Sequence, residues 1–165
     1  MSSHHIEPCW RAVVPGLAEE IAALWRSENA ISDPAEAARR VAESVCVARD
    51  ADGRVVAVAT AQRRLIPFLG QPMYYLRAFL AQPVRRGLLA HRLLRQCQQT
   101  LAADAASAEP ASDAIGLFLE LENPVFARDD ERAVWRRSGM VYAGLTPRGL
   151  QRRIWYFPDA RLRRT

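Results

Sequence analysis

The spacing of hydrophobic positions changes along this chain, and each change marks a predicted element. Over 17–28, apolar residues recur every three or four positions, which predicts an amphipathic helix. A second helix is predicted to begin at Pro34, because Asp33 is a good N-cap residue and proline suits the first helical position. The longest helical pattern covers 86–103. The sequence therefore predicts at least three helices.

Between the helical stretches the chain is rich in valine and in other residues that favour β-strands. Strands are predicted over 44–51 and 54–63, with Asp52-Gly53 forming the hairpin turn between them. Further strands are predicted over 73–80, 114–121, 140–143 and 152–157, and a short helix over 128–138. The strand, helix and strand that follow one another from 73 to 121 predict a parallel crossover. The fold class is therefore α/β with a mixed sheet.

The composition fits one globular domain. Of the 165 residues, 50% are hydrophobic and 25% are charged, so a single domain is expected over 1–165, with its core over 10–157 and flexible termini. No apolar run reaches the roughly 20 residues that cross a bilayer. The start carries His4, His5 and Glu7 where a signal peptide would be apolar. We therefore expect a cytoplasmic protein without a membrane partner.

The cysteines and the net charge reduce the number of function classes that fit the sequence. Cys9, Cys46 and Cys97 are far apart and form no paired motif, so neither a disulfide framework nor a metal site is expected. The net charge is +5, and all 23 basic residues are arginine. The absence of a basic tract with interleaved aromatics favours a solvated basic surface over a nucleic-acid interface. Nucleic-acid binding remains an alternative, with 161–164 as its nearest candidate segment.

A candidate anion site lies where the strand over 73–80 leads into the long helix. Arg85 and Arg86 stand just before the helical pattern becomes regular. Exposed amides at a helix start, together with the helix dipole, favour a pyrophosphate group there. The alternative is that these are surface arginines before a tight turn.

The run 75–94 resembles the cofactor segment of the GCN5-related N-acetyltransferases (GNAT), in which Pro83, Arg86 and Gly87 lead into a leucine-bearing helix. The element order over 10–157 is similar too. The resemblance implies a central mixed sheet of about six to seven strands, two N-terminal helices, a crossover helix and a short C-terminal helix. The residues that it assigns to the co-substrate are Phe79, Leu80, Ala81, Arg85, Arg86, Gly87, Leu88, Leu89, Ala90, Asn123 and Trp135.

The resemblance also implies an activity. A monomer or homodimer would transfer an acetyl group from acetyl-CoA, or another acyl group from its CoA thioester, to a primary amine on a small molecule or peptide. This activity requires the strands over 73–80 and 114–121 to diverge beside the start of the helix over 86–103.

With Arg86 aligned to the first residue of the family motif, Leu89 and His91 stand where the family has small residues. With Arg85 aligned there instead, Ala90 restores one small residue and Leu88 stands at the other place. The side chains of Leu89 and His91 would crowd a phosphate, so a catalytically inactive binding or regulatory domain is the alternative.

Three residues are candidates for proton transfer. Glu120 and Glu122 share one face of a predicted strand, and either carboxylate could take the proton from an ammonium group. An ion pair between Glu120 and Arg77 is the alternative, and it would make Glu120 a weaker base. Trp135 stands where the family often has a tyrosine that protonates the thiolate. Tyr142 is then the candidate acid, unless it belongs to the core.

Overall fold

The computed structural model describes residues 3–107, 109, 112–122 and 131–164, and these contain seven strands and three α-helices. The strands are β1 (His5–Pro8), β2 (Ser44–Arg49), β3 (Val55–Ile66), β4 (Gln71–Leu80), β5 (Gly116–Glu120), β6 (Val141–Leu145) and β7 (Gln151–Tyr156). The helices are α1 (Pro15–Ser27), α2 (Pro34–Val41) and α3 (Leu89–Ala105), and a 3₁₀ helix covers Gln82–Val84. None of the helices in these described ranges is long and apolar enough to span a membrane.

The strands form one mixed sheet in the order β1-β2-β3-β4-β5-β7-β6. Strands β4 and β5 are parallel, with Tyr74 opposite Leu117 and Tyr75 opposite Phe118, and α3 lies between them in the chain. The other pairs with a described register, β1 with β2, β2 with β3, β5 with β7, and β6 with β7, are antiparallel. The predicted α/β fold with a mixed sheet and a parallel crossover is therefore confirmed.

The chain divides into two compact units, of which the first contains residues up to Ala61 and Arg77–Leu101. Its core forms because α1 and α2 present apolar faces to β2 and β3. Trp25 of α1 is 1% exposed, and Val47 and Val58 are fully buried in the same cluster. The start of α2 is as predicted, since the Asp33 carboxylate accepts hydrogen bonds from the first-turn amides of Ala35 and Glu36.

The first unit also contains the three cysteines, all of them buried. The Sγ atoms of Cys46 and Cys97 are 3.7 Å apart. Burial, and after it the neighbouring Cys46 and Glu7, raise the pKa of Cys9 to about 12. The pKa of Cys97 is also raised, first by its hydrogen bond with Cys46 and then by burial. Both thiols therefore stay protonated at neutral pH.

Iodoacetamide at pH 8 is expected to leave Cys9 and Cys97 of the native protein unmodified. The thiolate is the reactive form, and a thiol with a pKa of about 12 is ionised in only about one molecule in 10⁴ at this pH. Mass spectrometry after alkylation, with and without urea, measures the result. Modification of all 3 cysteines only in urea is the expected pattern. Rapid modification of Cys9 in the native protein would show that its thiol is accessible and ionised.

The second unit contains Gln62–Leu76 and the described residues after Leu101. Its core is a cluster of buried side chains from β3, β4 and β5, with Met73 at 0% and Phe118 at 4% exposure. The backbones of β5 and β7 lie very close together at Gly116 of β5, which is paired with Tyr156 of β7. This unit is therefore organised by strand pairing, with aromatic and branched side chains on one face.

Arg153 of β7 is buried in the second unit, with 1% of its surface exposed. Its Nη1 atom donates hydrogen bonds to the carbonyl oxygens of Arg132 at 2.7 Å and Ala133 at 3.1 Å. The guanidinium also lies 4.7 Å from the ring centre of Trp135 and 5.7 Å from that of Tyr142. Arg153 therefore attaches the segment before β6 to the sheet.

Replacing Arg153 by methionine is expected to lower the free energy of unfolding by about 2 kcal/mol, because the carbonyl oxygens lose a charged donor and the rings lose their cation. Urea denaturation followed by tryptophan fluorescence measures the loss. Arg136→Met is the matched control, since Arg136 is exposed on the same segment and its substitution should change stability by less than about 0.5 kcal/mol. Equal effects of the two substitutions would contradict the anchoring role.

Several elements differ from the sequence predictions. Strand β1 was not predicted, because His5–Pro8 is too short and too polar to show a strand period. Helix α3 begins at Leu89, three residues later than predicted, since Gly87 adopts a φ of +116° that a helix does not allow. The helix predicted over 128–138 is wrong in its described part. Residues 131–138 contain the bridge Val134↔Val141 and a turn closed by the Gly139 amide on the Trp135 carbonyl.

Candidate functional site

The predicted co-substrate residues of the first unit lie between the end of β4 and the first turn of α3. After β4 ends at Leu80, the chain forms the 3₁₀ helix Gln82–Val84 and a bent segment over 85–88. Gly87 has a φ of +116°, so glycine is required there. The first amides of a helix have no acceptor within the helix, and the first turn of α3 carries no acid. The segment can therefore present donors to an anion.

Arg85, one of the predicted phosphate ligands, is already engaged in the first unit. Its Nε donates to the Leu80 carbonyl oxygen at 2.9 Å, and its guanidinium lies 5.7 Å from the ring centre of Phe79. Its Nη2 is 3.5 Å from Glu28 Oε2, which also accepts a hydrogen bond from the Gln82 amide at 3.1 Å. Arg85 therefore stabilises the end of β4. Arg86 is exposed and is available to a ligand.

Glu28 was missed as a site residue. The sequence analysis predicted position 28 only as the end of the first helix. In the structure Glu28 is the C-cap of α1, and its carboxylate lies at the 3₁₀ helix. The sequence gives no sign of this contact, since Glu28 and Arg85 are 57 positions apart. Its effect is to place one negative charge beside the predicted anion site.

The side chains of the segment point in different directions. Leu89 is 5% exposed and therefore buried, whereas Leu88 is 54% exposed. Ala90 and His91 are half-buried. Because Leu89 is packed inward, its side chain does not project from the exposed surface over 85–88. The first-turn amides of α3 and the exposed Arg86 suit a phosphate group, whereas the Glu28 carboxylate beside the segment opposes one.

The second unit contains a cavity of about 180 Å³ around Glu120. It is lined by Arg64, Leu65, Ile66, Pro67, Phe68, Tyr75, Phe118, Glu120 and Arg152. The Tyr75 hydroxyl donates to Glu120 Oε2 at 3.4 Å, and Arg152 Nε is 3.7 Å from Glu120 Oε1. Strand pairing explains this arrangement, because Arg152 of β7 lies opposite Glu120 of β5. Glu120 is therefore a half-buried carboxylate with a hydroxyl and a cation beside it.

Two arginines of this cavity stack on aromatic rings. The Arg64 guanidinium is 4.3 Å from the ring centre of Tyr75, and that of Arg152 is 4.8 Å from the ring centre of Phe68. The sequence analysis singled out neither arginine, nor Phe68. The register of β7 and the course of the turn after β3 bring them to Glu120, and neither follows from local sequence pattern.

The other predicted catalytic residues lie elsewhere. Glu122 follows the end of β5 and is exposed, and Tyr142 of β6 is 43% exposed beside Arg153. Neither lines the cavity. Trp135, which the resemblance assigns to the co-substrate, is 3% exposed and stacks against the Arg153 guanidinium.

Two predictions at this site are affected in other ways. The sequence analysis gave an ion pair with Arg77 as the alternative role of Glu120, whereas the basic side chain that the structure places beside Glu120 is that of Arg152 on β7. Asn123 lies outside the described residues. Within the described ranges, no three His, Cys, Asp or Glu residues are grouped so that they could hold a metal ion.

The fold is similar to that of solved acetyltransferases. An acetyltransferase of the GNAT family from Streptococcus pneumoniae superimposes with a TM-score of 0.65 at 13% identity, covering 94% of this chain and 100% of that one. A phosphinothricin acetyltransferase of the GNAT superfamily from Sinorhizobium meliloti, solved with AcCoA, has a TM-score of 0.65 at 14% identity, with 95% and 90% covered. NAA60 of Arabidopsis thaliana, solved with a bisubstrate analogue, has 0.60 at 13% identity, with 93% and 98% covered.

Sequence comparison adds nothing to these structural likenesses. No protein-family model matches the chain, and no curated protein sequence matches it. At 13 or 14% identity the likeness shows the fold, which is that of the GNAT superfamily over more than nine-tenths of the chain.

Proposed function

We propose, from the GNAT fold of this chain, that it is an N-acyltransferase that transfers an acetyl group from acetyl-CoA to a primary amine. The observation that carries the proposal is the likeness to acetyltransferases over 93–95% of the chain. An acyl-CoA thioester supplies an activated acyl group. In the transfer a C–N bond forms and the C–S bond breaks. The acceptor ammonium loses one proton to a base, and a second proton goes to the departing CoA thiolate. The chain has to supply binding groups and a proton acceptor.

The binding groups that we propose lie in the first unit. The backbone of Phe79, Leu80 and Ala81 is assigned to the pantetheine arm, and the amides from Gly87 to Ala90 to the pyrophosphate. Arg86 adds a positive charge, while Arg85 holds the Leu80 carbonyl. This assignment is supported by the exposure of 85–88 and by the absence of an acid in the first turn of α3.

The proton acceptor that we propose is Glu120 of the second unit. Its carboxylate is half-buried, lines a cavity, and has the Tyr75 hydroxyl and the Arg152 guanidinium beside it. A charged carboxylate is the form that can accept a proton. The roles of Glu122 as an alternative base, of Tyr142 as an acid and of Trp135 at the co-substrate stay predictions, as do a cytoplasmic monomer or homodimer without nucleic-acid or membrane partners.

Calorimetric titration with acetyl-CoA and with desulfo-CoA is expected to show saturable binding, and Arg86→Ala to weaken it about tenfold through the loss of a charge-assisted contact. Arg54→Ala is the matched control, because Arg54 is also exposed in the first unit but lies in the turn after β2. Release of free thiol from acetyl-CoA with a panel of amines then tests the transfer. Neither heat nor a thermal shift at millimolar acetyl-CoA would contradict the proposal.

The alternative, a catalytically inactive domain, is favoured by two contacts of the Glu28 carboxylate. Glu28 accepts the Gln82 amide and neutralises Arg85, so this end of the segment is satisfied without a ligand. If the chain is inactive for this reason, Glu28→Gln should create acetyl-CoA binding that the native protein lacks. Tight binding by the native protein would exclude this alternative.

A further inference from the structure

Three aromatic side chains form part of the wall of the cavity around Glu120. Tyr75 and Phe118 are buried, with ring centres 5.6 Å apart, and Phe68 is 5.8 Å from Phe118 and 46% exposed. A volume of about 150 Å³ is large enough to hold a benzene ring. The 180 Å³ here therefore admit one six-membered ring or an aliphatic group of similar volume.

The charges that line the cavity do not balance. Arg64 and Arg152 each contribute one positive charge and Glu120 one negative charge. The charge of Glu120 is paired with that of Arg152, whose Nε lies 3.7 Å from Glu120 Oε1. Within the described part of the chain, the one hydrogen-bond acceptor of Arg64 is Gln62 Oε1, which its Nε reaches at 2.7 Å. The two terminal amino groups of Arg64 are therefore available to an anion.

Aromatic walls alone would also suit a cation. Here, however, the faces of Tyr75 and Phe68 already carry guanidinium groups, at 4.3 and 4.8 Å from the ring centres. A ligand with only a positive charge would meet two cations and one carboxylate. A carboxylate matches the planar fork of a guanidinium, which binds such groups through two parallel hydrogen bonds.

We propose that this cavity binds the acyl acceptor and that the acceptor is a small amine that also carries a carboxylate, as an apolar amino acid does. The inference rests on the proposed function, since it takes Glu120 as the group that receives the ammonium proton. Arg64 binds the carboxylate of the acceptor, and the rings of Phe68, Tyr75 and Phe118 contact its apolar body. The ammonium group first gives one proton to Glu120. The free amine then forms its bond to the acyl carbon as the C–S bond of the thioester breaks, and the second proton lost by the nitrogen goes to the departing CoA thiolate.

Binding of three matched probes, measured by calorimetry without acyl-CoA, tests the carboxylate assignment. The probes are phenylalanine, 2-phenylethylamine, which lacks the carboxylate, and 3-phenylpropionate, which lacks the amine. Phenylalanine and 3-phenylpropionate are expected to bind about tenfold more tightly than 2-phenylethylamine. Arg64→Gln should remove this preference. Arg148→Gln, which deletes an exposed charge of the same unit outside the cavity, should leave it unchanged.

The outcomes separate this inference from the proposed function. Binding of 2-phenylethylamine as tight as that of 3-phenylpropionate would overturn the carboxylate assignment, even if thiol release from acetyl-CoA shows that amines are acylated. A carboxylate preference that Arg64→Gln abolishes, without thiol release for any amine, would support the recognition of the carboxylate and overturn the transfer. A preference that survives Arg64→Gln would overturn the role of Arg64.

Discussion

Gly116→Ala is expected to lower the free energy of unfolding by about 3 kcal/mol, at the upper end of the usual cost of overpacking. A Cβ atom at Gly116 would lie 2.2 Å from the carbonyl oxygen of Trp155 and 2.9 Å from the Cα atom of Tyr156. Both are backbone atoms of the paired strand β7, so no side chain can move aside to make room. The strands themselves must separate. Urea denaturation of the two proteins measures the loss.

Gly16→Ala provides the control for this substitution. Gly16 lies in the first turn of α1, has no atom within 4 Å of an added Cβ and has no positive φ. Alanine there should raise stability by about 0.5 kcal/mol, because it lowers the entropy of the unfolded chain. The two substitutions therefore change stability in opposite directions. A Gly116→Ala protein as stable as the native protein would show that β5 and β7 are not packed this closely.

The elements that the sequence predicted well are those with a strong local period. Helix α3 was predicted because its apolar residues recur at helical spacing, and Leu93, Cys97 and Leu101 of that stripe are fully buried. The hairpin between β2 and β3 follows from Asp52-Gly53, since Gly53 has a φ of +79°. These features depend on residues close in sequence, so pattern alone was sufficient for them.

The residues around the candidate site could not be predicted in the same way. Glu28 reaches Arg85 across 57 positions, and Arg152 meets Glu120 only because of the register between β5 and β7. A change of one residue in that register would move Arg152 to the other face of the sheet. The segment before β6 could not be predicted either. Its Trp135 stacks against the Arg153 guanidinium of β7, and this contact gives no local sequence pattern. Contacts that depend on strand register therefore cannot be predicted from local sequence pattern.

Glu120→Gln is expected to lower kcat of the proposed transfer about 100-fold, within the range that positioned acid–base groups contribute. Glutamine keeps the size of the side chain and its contact with Tyr75, but an amide cannot accept the ammonium proton. Binding of acetyl-CoA in the absence of acceptor should not change, since its proposed groups lie in the first unit. Steady-state kinetics by thiol release, together with calorimetry, measure the two quantities.

The pH dependence separates a base from a structural residue. As the pH rises through the pKa of the acceptor amine, more acceptor arrives already deprotonated and the need for a base falls. The ratio of native to Glu120→Gln rates should therefore decrease as the pH rises, whereas a structural defect would lower the rate equally at all pH values. Glu122→Gln is the matched control, because Glu122 is exposed after the end of β5. A larger loss in that variant than in Glu120→Gln would assign the proton transfer to Glu122.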